Sequence, residues 1–151
     1  MAHSFSMVWI HGVFGTKNRM PLIDKTFEGQ LHDHIKTYLE EDLACQVKII
    51  NGTSDHIHIL FLINRELTIA EAFKRIKGES SHWINQQDFS DQKFAWQIGY
   101  RAFSVSESAV GNVVEYIRGQ KEHHKSLTFM EEYENFIEDY TSDETVKTVF
   151  E

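Results

Sequence analysis

Val47-Lys48-Ile49-Ile50-Asn51-Gly52-Thr53-Ser54-Asp55-His56-Ile57-His58-Ile59-Leu60-Phe61-Leu62-Ile63 sets two short apolar runs on either side of an Asn-Gly turn. Val47 to Ile50 and Asp55 to Ile63 read as strands. Asn51-Gly52-Thr53-Ser54 reads as the hairpin between them, because Asn-Gly tolerates positive φ. Side chains alternate between the two faces of a strand, so Ile57, Ile59 and Phe61 share one side and His56 and His58 the other. The isoleucine side is expected to meet the core, and the two imidazoles then stand together on the opposite face.

Working outward, Phe5 to Phe14 is rich in aliphatic and aromatic residues without helical spacing, and Gly15-Thr16-Lys17-Asn18 ends it as a turn. After Pro21, Asp24 can cap a helix carrying Phe27, Leu31, Ile35, Tyr38 and Leu39 on one face, as far as about Asp42. Beyond the hairpin, Thr68 and Glu71 form a capping box. Ile69, Ala72, Phe73, Ile76, Trp83 and Ile84 then continue a helical stripe to about Gln87. Trp96 to Val105 reads as a fourth strand. Ser106 or Ser108 can cap a third helix with Val110, Val113, Val114 and Ile117 on its apolar face. The order βαββαβα predicts an α+β protein: a ferredoxin-like antiparallel sheet (βαββαβ) with helices packed on one face and the other face available for a site.

A chain of 151 residues fits one domain, and 41% hydrophobic content with a single proline argues against disorder. Cys45 is the only cysteine, so an internal disulfide framework is excluded. No leader-like segment opens the chain, and no apolar run approaches the roughly 18 residues that span a bilayer; a cytoplasmic, membrane-free protein is the expectation. The net charge of −8 argues at first against a nucleic-acid partner. Its distribution weakens that objection: residues 127–151 hold eight acids against Lys147 alone, and the first 126 residues are nearly balanced.

Two imidazoles on one strand face can chelate a divalent cation, although two polar histidines on a solvated face would show the same pattern. On the third helix Tyr116 lies roughly 110° from the centre of the apolar stripe, and Gln120 follows one turn later on the same flank. A half-buried pair at the edge of the packing is the plain alternative. Taken together, however, the residues make chemical sense. Uncharged imidazole and amide ligands leave a cation its full charge to polarise a phosphodiester. A tyrosine nearby, its ordinary pKa of about 10 offset by that charge, can act as a nucleophile.

The segment Asp55-His56-Ile57-His58 resembles the His-hydrophobic-His motif of the single-tyrosine transposases of small insertion sequences and their REP-associated relatives. Tyr116-Ile117-Arg118-Gly119-Gln120-Lys121-Glu122-His123-His124-Lys125 is similar to that family's nucleophile helix. Further similarity lies in Val13-Phe14-Gly15-Thr16-Lys17-Asn18-Arg19, Ile76-Lys77-Gly78-Glu79-Ser80-Ser81, Phe94-Ala95-Trp96-Gln97-Ile98-Gly99-Tyr100 and Ala102-Phe103-Ser104-Val105-Ser106. It implies one catalytic domain over residues 5–140, with an acidic tail at 141–151. It further implies Tyr116 as nucleophile, His56, His58 and Gln120 as ligands of magnesium or manganese, and a homodimer in which one subunit's tyrosine helix can complete the other's site. The implied substrate is single-stranded DNA with hairpin-marked ends, cut and rejoined through a 5′-phosphotyrosine.

Lys17, Arg19, Lys74, Arg75, Lys77, Arg118, Lys121 and Lys125 fall in or near the matching segments and are the expected phosphate contacts. Trp83, Trp96, Tyr100 and Phe103 could stack on unpaired bases but are expected chiefly in the core. His11, mid-strand among Val8, Trp9, Ile10 and Val13, is expected to be structural, with a supporting part in the site as the lesser reading. His123 and His124 fit a solvated helix end equally well, and Cys45 has no base in sequence reach. Two competing functions stay open: a non-catalytic protein that binds DNA hairpins on the same fold, and an unrelated metal-dependent hydrolase that uses the histidines but not Tyr116.

Overall fold

A computed structural model describes residues 4–122. The chain divides into two compact units, Met1–Arg118 and Gly119–Glu151. In the first, β1 (Trp9–Gly15), α1 (Glu28–Thr37), β2 (Gln46–Gly52), β3 (His56–Leu62), α2 (Ile69–Gln86), β4 (Arg101–Val105) and α3 (Val110–Arg118) follow one another in the expected order. Of the second unit, residues 119–122 are described, and 120–122 are helical. The expected boundary at residue 140, the acidic tail 141–151, and His123, His124 and Lys125 lie outside the described residues.

The strands form one antiparallel sheet in the order β2-β3-β1-β4. Each of the two βαβ segments, β1-α1-β2 and β3-α2-β4, therefore leaves a gap that the first strand of the other segment fills, the split βαβ arrangement of a ferredoxin-like α+β fold. Position in the sheet explains burial. Every residue of β1 and all but the last of β3 are buried, whereas edge strands β2 and β4 mix buried with exposed positions. The core lies on the face of Ile10, Phe14, Ile57, Ile59 and Phe61, where Leu31, Ile35 and Leu39 of the first helical segment and Phe73, Ile76 and Ile84 of α2 close over them. Gly12 is required there: a Cβ would stand 2.2 Å from Cζ of Phe73, whose ring rests on β1.

Several boundaries move for physical reasons. The first strand begins at Trp9, not Phe5, and Phe5 and Met7 are exposed. α1 ends at Thr37 and continues as one π-helical turn through Asp42. Asp24 does not cap α1 directly; its carboxylate accepts from the Thr26 amide and its carbonyl oxygen from Phe27 and Glu28, which builds the turn that leads in. Thr68 caps α2 as expected, its hydroxyl oxygen accepting from the Glu71 amide at 3.1 Å, while Ile69 is exposed and the buried stripe starts at Ala72. The fourth strand is confined to Arg101–Val105 because Gly99, at φ 93°, bends the chain out of extended geometry; Trp96 meets Thr16 in an isolated bridge. The hairpin is present, but Gly52 does not adopt positive φ. It is needed because a Cβ would lie 2.1 Å from the His56 carbonyl oxygen.

Candidate active site

The site is built on the sheet face opposite the core, on the two central strands and the edge strand β2. Gly15 of β1 pairs with His56 and Val13 with His58, while Asn51 of β2 flanks His58 on the other side. The rings of His56 and His58 lie 5.1 Å apart, centroid to centroid, and are inclined by 74°. Both are buried, at 0% and 3% exposure, so the solvated-face alternative does not hold.

Their cover is α3. Its buried residues Val110, Val113 and Ile117 accompany packing against β2 and β3, and this orientation turns Tyr116 toward the histidines. The phenol ring meets His58 edge-on at 5.6 Å and His11 at 6.2 Å. Asn51 holds the end of the helix in place: Nδ2 donates to the carbonyl oxygens of Ile117 at 3.0 Å and Arg118 at 3.1 Å. The last carbonyls of a helix lack intrahelical partners, so a side-chain donor here secures the turn that carries the tyrosine.

Second contacts fix the imidazoles. His56 Nδ1 lies 2.8 Å from Asp55 Oδ1 and 2.9 Å from Thr53 Oγ1, and the Thr53 hydroxyl donates to the same carboxylate oxygen at 3.1 Å. An ionised carboxylate only accepts, so Nδ1 of His56 carries the hydrogen, and the lone pair of the neutral tautomer is the one on Nε2. A histidine held by a carboxylate in this way is the arrangement that metal ligands use. His58 Nδ1 lies 2.9 Å from Nε2 of His11, which is fully buried. Burial pushes the His11 pKa down from 6.5 to about 3, so this ring is neutral near pH 7.

Among the described residues no three His, Cys, Asp or Glu side chains converge as a metal centre. Two neighbouring imidazoles do fit a divalent cation as part of a neutral donor set. Gln120, the expected third ligand, is buried and belongs to the second unit.

The expected phosphate contacts separate into groups. Arg19 is half-buried within reach of the Asp55 charge; burial, opposed by that carboxylate, holds its pKa below the ordinary value. Lys17 beside it is exposed. Arg75 pairs with Glu71 at 3.0 Å and Arg118 with Glu115 at 2.8 Å, both on the surface. Lys77 donates from Nζ to the carbonyl oxygens of Gln97 and Gly99, each at 2.6 Å. With Lys74 and Lys93 it lines a groove that includes Ile98, which is 99% exposed. That groove belongs to α2, on the core side of the sheet, away from the histidines. Lys121 is exposed in the second unit.

The aromatics serve packing. The Trp96 indole donates to Ser80 Oγ at 2.9 Å, Tyr100 stacks on Phe73 at 4.3 Å, Trp83 stacks on His34 at 4.1 Å, and Phe103 is buried. Cys45 is buried, and burial raises its pKa. Within the first unit the structure thus brings together His56, His58 and Tyr116 and adds residues to which the sequence assigned no firm role: Thr53 and Asp55 beside His56, which are close in sequence, and His11 and Asn51. The contacts of the last two are with residues distant in sequence, His11 with His58 across the β1–β3 pairing and Asn51 with the end of α3, so neighbouring residues give no sign of them.

A family model of IS200-like transposases matches residues 4–120. Among solved structures, a Deinococcus radiodurans R1 protein described as a transposase is 18% identical with a TM-score of 0.59, over 80% of this chain and 95% of that one. A REP-associated tyrosine transposase bound to a REP hairpin is 15% identical with a TM-score of 0.59, over 84% of this chain and 76% of that one. Both likenesses are of fold. A comparison with curated protein sequences finds no significant match. The family match runs from ahead of the strand bearing His11 through the histidine pair to the tyrosine helix, and on that ground the chain belongs to the IS200-like transposase family.

Proposed function

We propose that this chain is a metal-dependent transposase that cuts and rejoins single-stranded DNA at hairpin-marked ends. Tyr116 Oη attacks a backbone phosphorus, the P–O3′ bond breaks, and the 5′ phosphate stays on the tyrosine. The phenol proton is lost to solvent and one is regained on the departing 3′ oxygen. An incoming 3′ hydroxyl then displaces the tyrosine from the same phosphorus. One phosphoester bond forms for each one broken, so no nucleoside triphosphate is consumed. His56 and His58, through Nε2, and Gln120, through its amide oxygen, are the residues that would hold magnesium or manganese. Such an ion supplies charge that polarises the phosphate and favours the ionised phenol. Lys17, Arg19, Lys74, Arg75, Lys77, Arg118 and Lys121 would contact phosphates along the strand, and a homodimer is the expected working form.

The observation that carries this reading is the placement of the Tyr116 ring 5.6 Å from His58, beside a histidine pair whose first member is held by a carboxylate. The hairpin bound to a structural neighbour supports the substrate class. Incubation with a hairpin-bearing single strand and Mn²⁺ should give a covalent protein–DNA adduct on a denaturing gel, absent in Tyr116→Phe and in excess chelator. An adduct that survives either treatment overturns the mechanism. Tight hairpin binding with no adduct in the unaltered protein would establish the non-catalytic reading instead.

A further inference from the structure

We infer that His11 is a positioning residue for His58: its Nε2 accepts the Nδ1 hydrogen of His58 and thereby keeps the His58 lone pair on Nε2, the nitrogen that would ligate a cation. The inference rests on the reading of His56 and His58 as metal ligands.

The two facing nitrogens are 2.9 Å apart, and the rings are 0% and 3% exposed. Only one hydrogen can occupy the line between them, which leaves two arrangements. If His11 donated, His58 would hold its hydrogen on Nε2 and could not ligate through that atom. If His58 donates, its tautomer matches that of His56, whose Nδ1 is fixed as a donor by Asp55 2.8 Å away. Both ligand lone pairs then sit on Nε2, and His11 keeps its own hydrogen on Nδ1. A single arrangement therefore serves both histidines.

Position supports the same conclusion. His11 is fully buried in the central strand β1, where every other residue is also buried and an aliphatic side chain would pack without the desolvation cost of a polar ring. Its Cα lies opposite Leu60, one step along the same sheet face from the Val13–His58 pair. Its ring is braced by Phe103 and Tyr116, each at 6.2 Å, so its orientation is set by the strand on one side and the nucleophile helix on the other.

The test is the tautomer of His58 in metal-free, ¹⁵N-histidine-labelled protein, read from long-range ¹H–¹⁵N correlations near neutral pH. His58 should be protonated on Nδ1. In His11→Phe, which retains an aromatic ring but has no acceptor, His58 should populate the Nε2–H form, and Mn²⁺ affinity read by electron paramagnetic resonance should fall about 10–100-fold. His11→Gln, whose side-chain carbonyl can accept, should recover most of both signals. A wild-type His58 protonated on Nε2 overturns the inference whether or not any variant folds. So does a folded His11→Phe with unchanged tautomer and affinity. Wild-type protein with the expected tautomer that binds no Mn²⁺ overturns instead the metal reading of the histidine pair, and with it the use assigned to His11.

Discussion

Histidine 11 makes the stability of the fold depend on pH in a way that can be worked out. Its pKa is about 3 in the folded chain against 6.5 for the exposed ring. The unfolded state therefore binds a proton that the folded state refuses. Stability from this residue is complete above about pH 6.5 and is lost as pH falls from there toward 3, by at most about 1.4 kcal/mol per pH unit. The melting temperature of the wild type should accordingly drop more between pH 7 and pH 4.5 than that of His11→Phe. Parallel pH profiles would show that another group accounts for acid sensitivity. Alternation along one strand was enough to put His56 and His58 on a common face. The burial of that face was not legible, because it comes from α3, and neither was the contact with His11, because β1 and β3 are adjacent in the sheet but far apart in the chain.

The hairpin and the tyrosine helix are joined by neighbouring residues of β2. Gly52, which the Asn-Gly signature places in the turn, closes β2 without a positive φ, and glycine is required there for a reason local propensity does not contain: the His56 carbonyl oxygen would lie 2.1 Å from an added Cβ. Backbone cannot yield as a flexible side chain does, so Gly52→Ala should destabilise the protein by about 1–3 kcal/mol in chemical denaturation. A cost below half a kcal/mol would mean that the turn relaxes freely. Asn51, which the Asn-Gly signature assigns to the turn, instead belongs to β2 and donates to the carbonyl oxygens of Ile117 and Arg118. In Asn51→Ala the amides of α3 should exchange with solvent faster while those of β3 keep their protection; uniform acceleration across both would indicate general destabilisation in place of a helix clamp. The same logic explains where element limits were readable. Helix stripes and the Thr68 cap are local and were legible, whereas the short β4 depends on the bend at Gly99 and on Trp96 leaving the strand path to reach Ser80.

At the scale of the whole molecule, the net charge of −8 opposes approach to any polyanion, and eight of the acids fall within residues 127–151. The basic side chains proposed for DNA all lie ahead of that segment, so attraction and repulsion come from different parts of the chain. Repulsion of this kind acts through the field. It reaches about 10 Å at 0.1 M salt and only about 3 Å at 1 M. Neutralising five acids, as Glu131→Gln, Glu132→Gln, Glu134→Gln, Glu138→Gln and Asp139→Asn, should therefore tighten binding of a hairpin-bearing single strand at low salt. The wild-type and neutralised proteins should converge as salt approaches 1 M in a fluorescence-anisotropy titration. A gain that persists at 1 M would place these carboxylates in direct contact with the strand. No gain at low salt would mean that their charge does not reach the DNA path, and the sign of the total charge would then carry no information about the substrate.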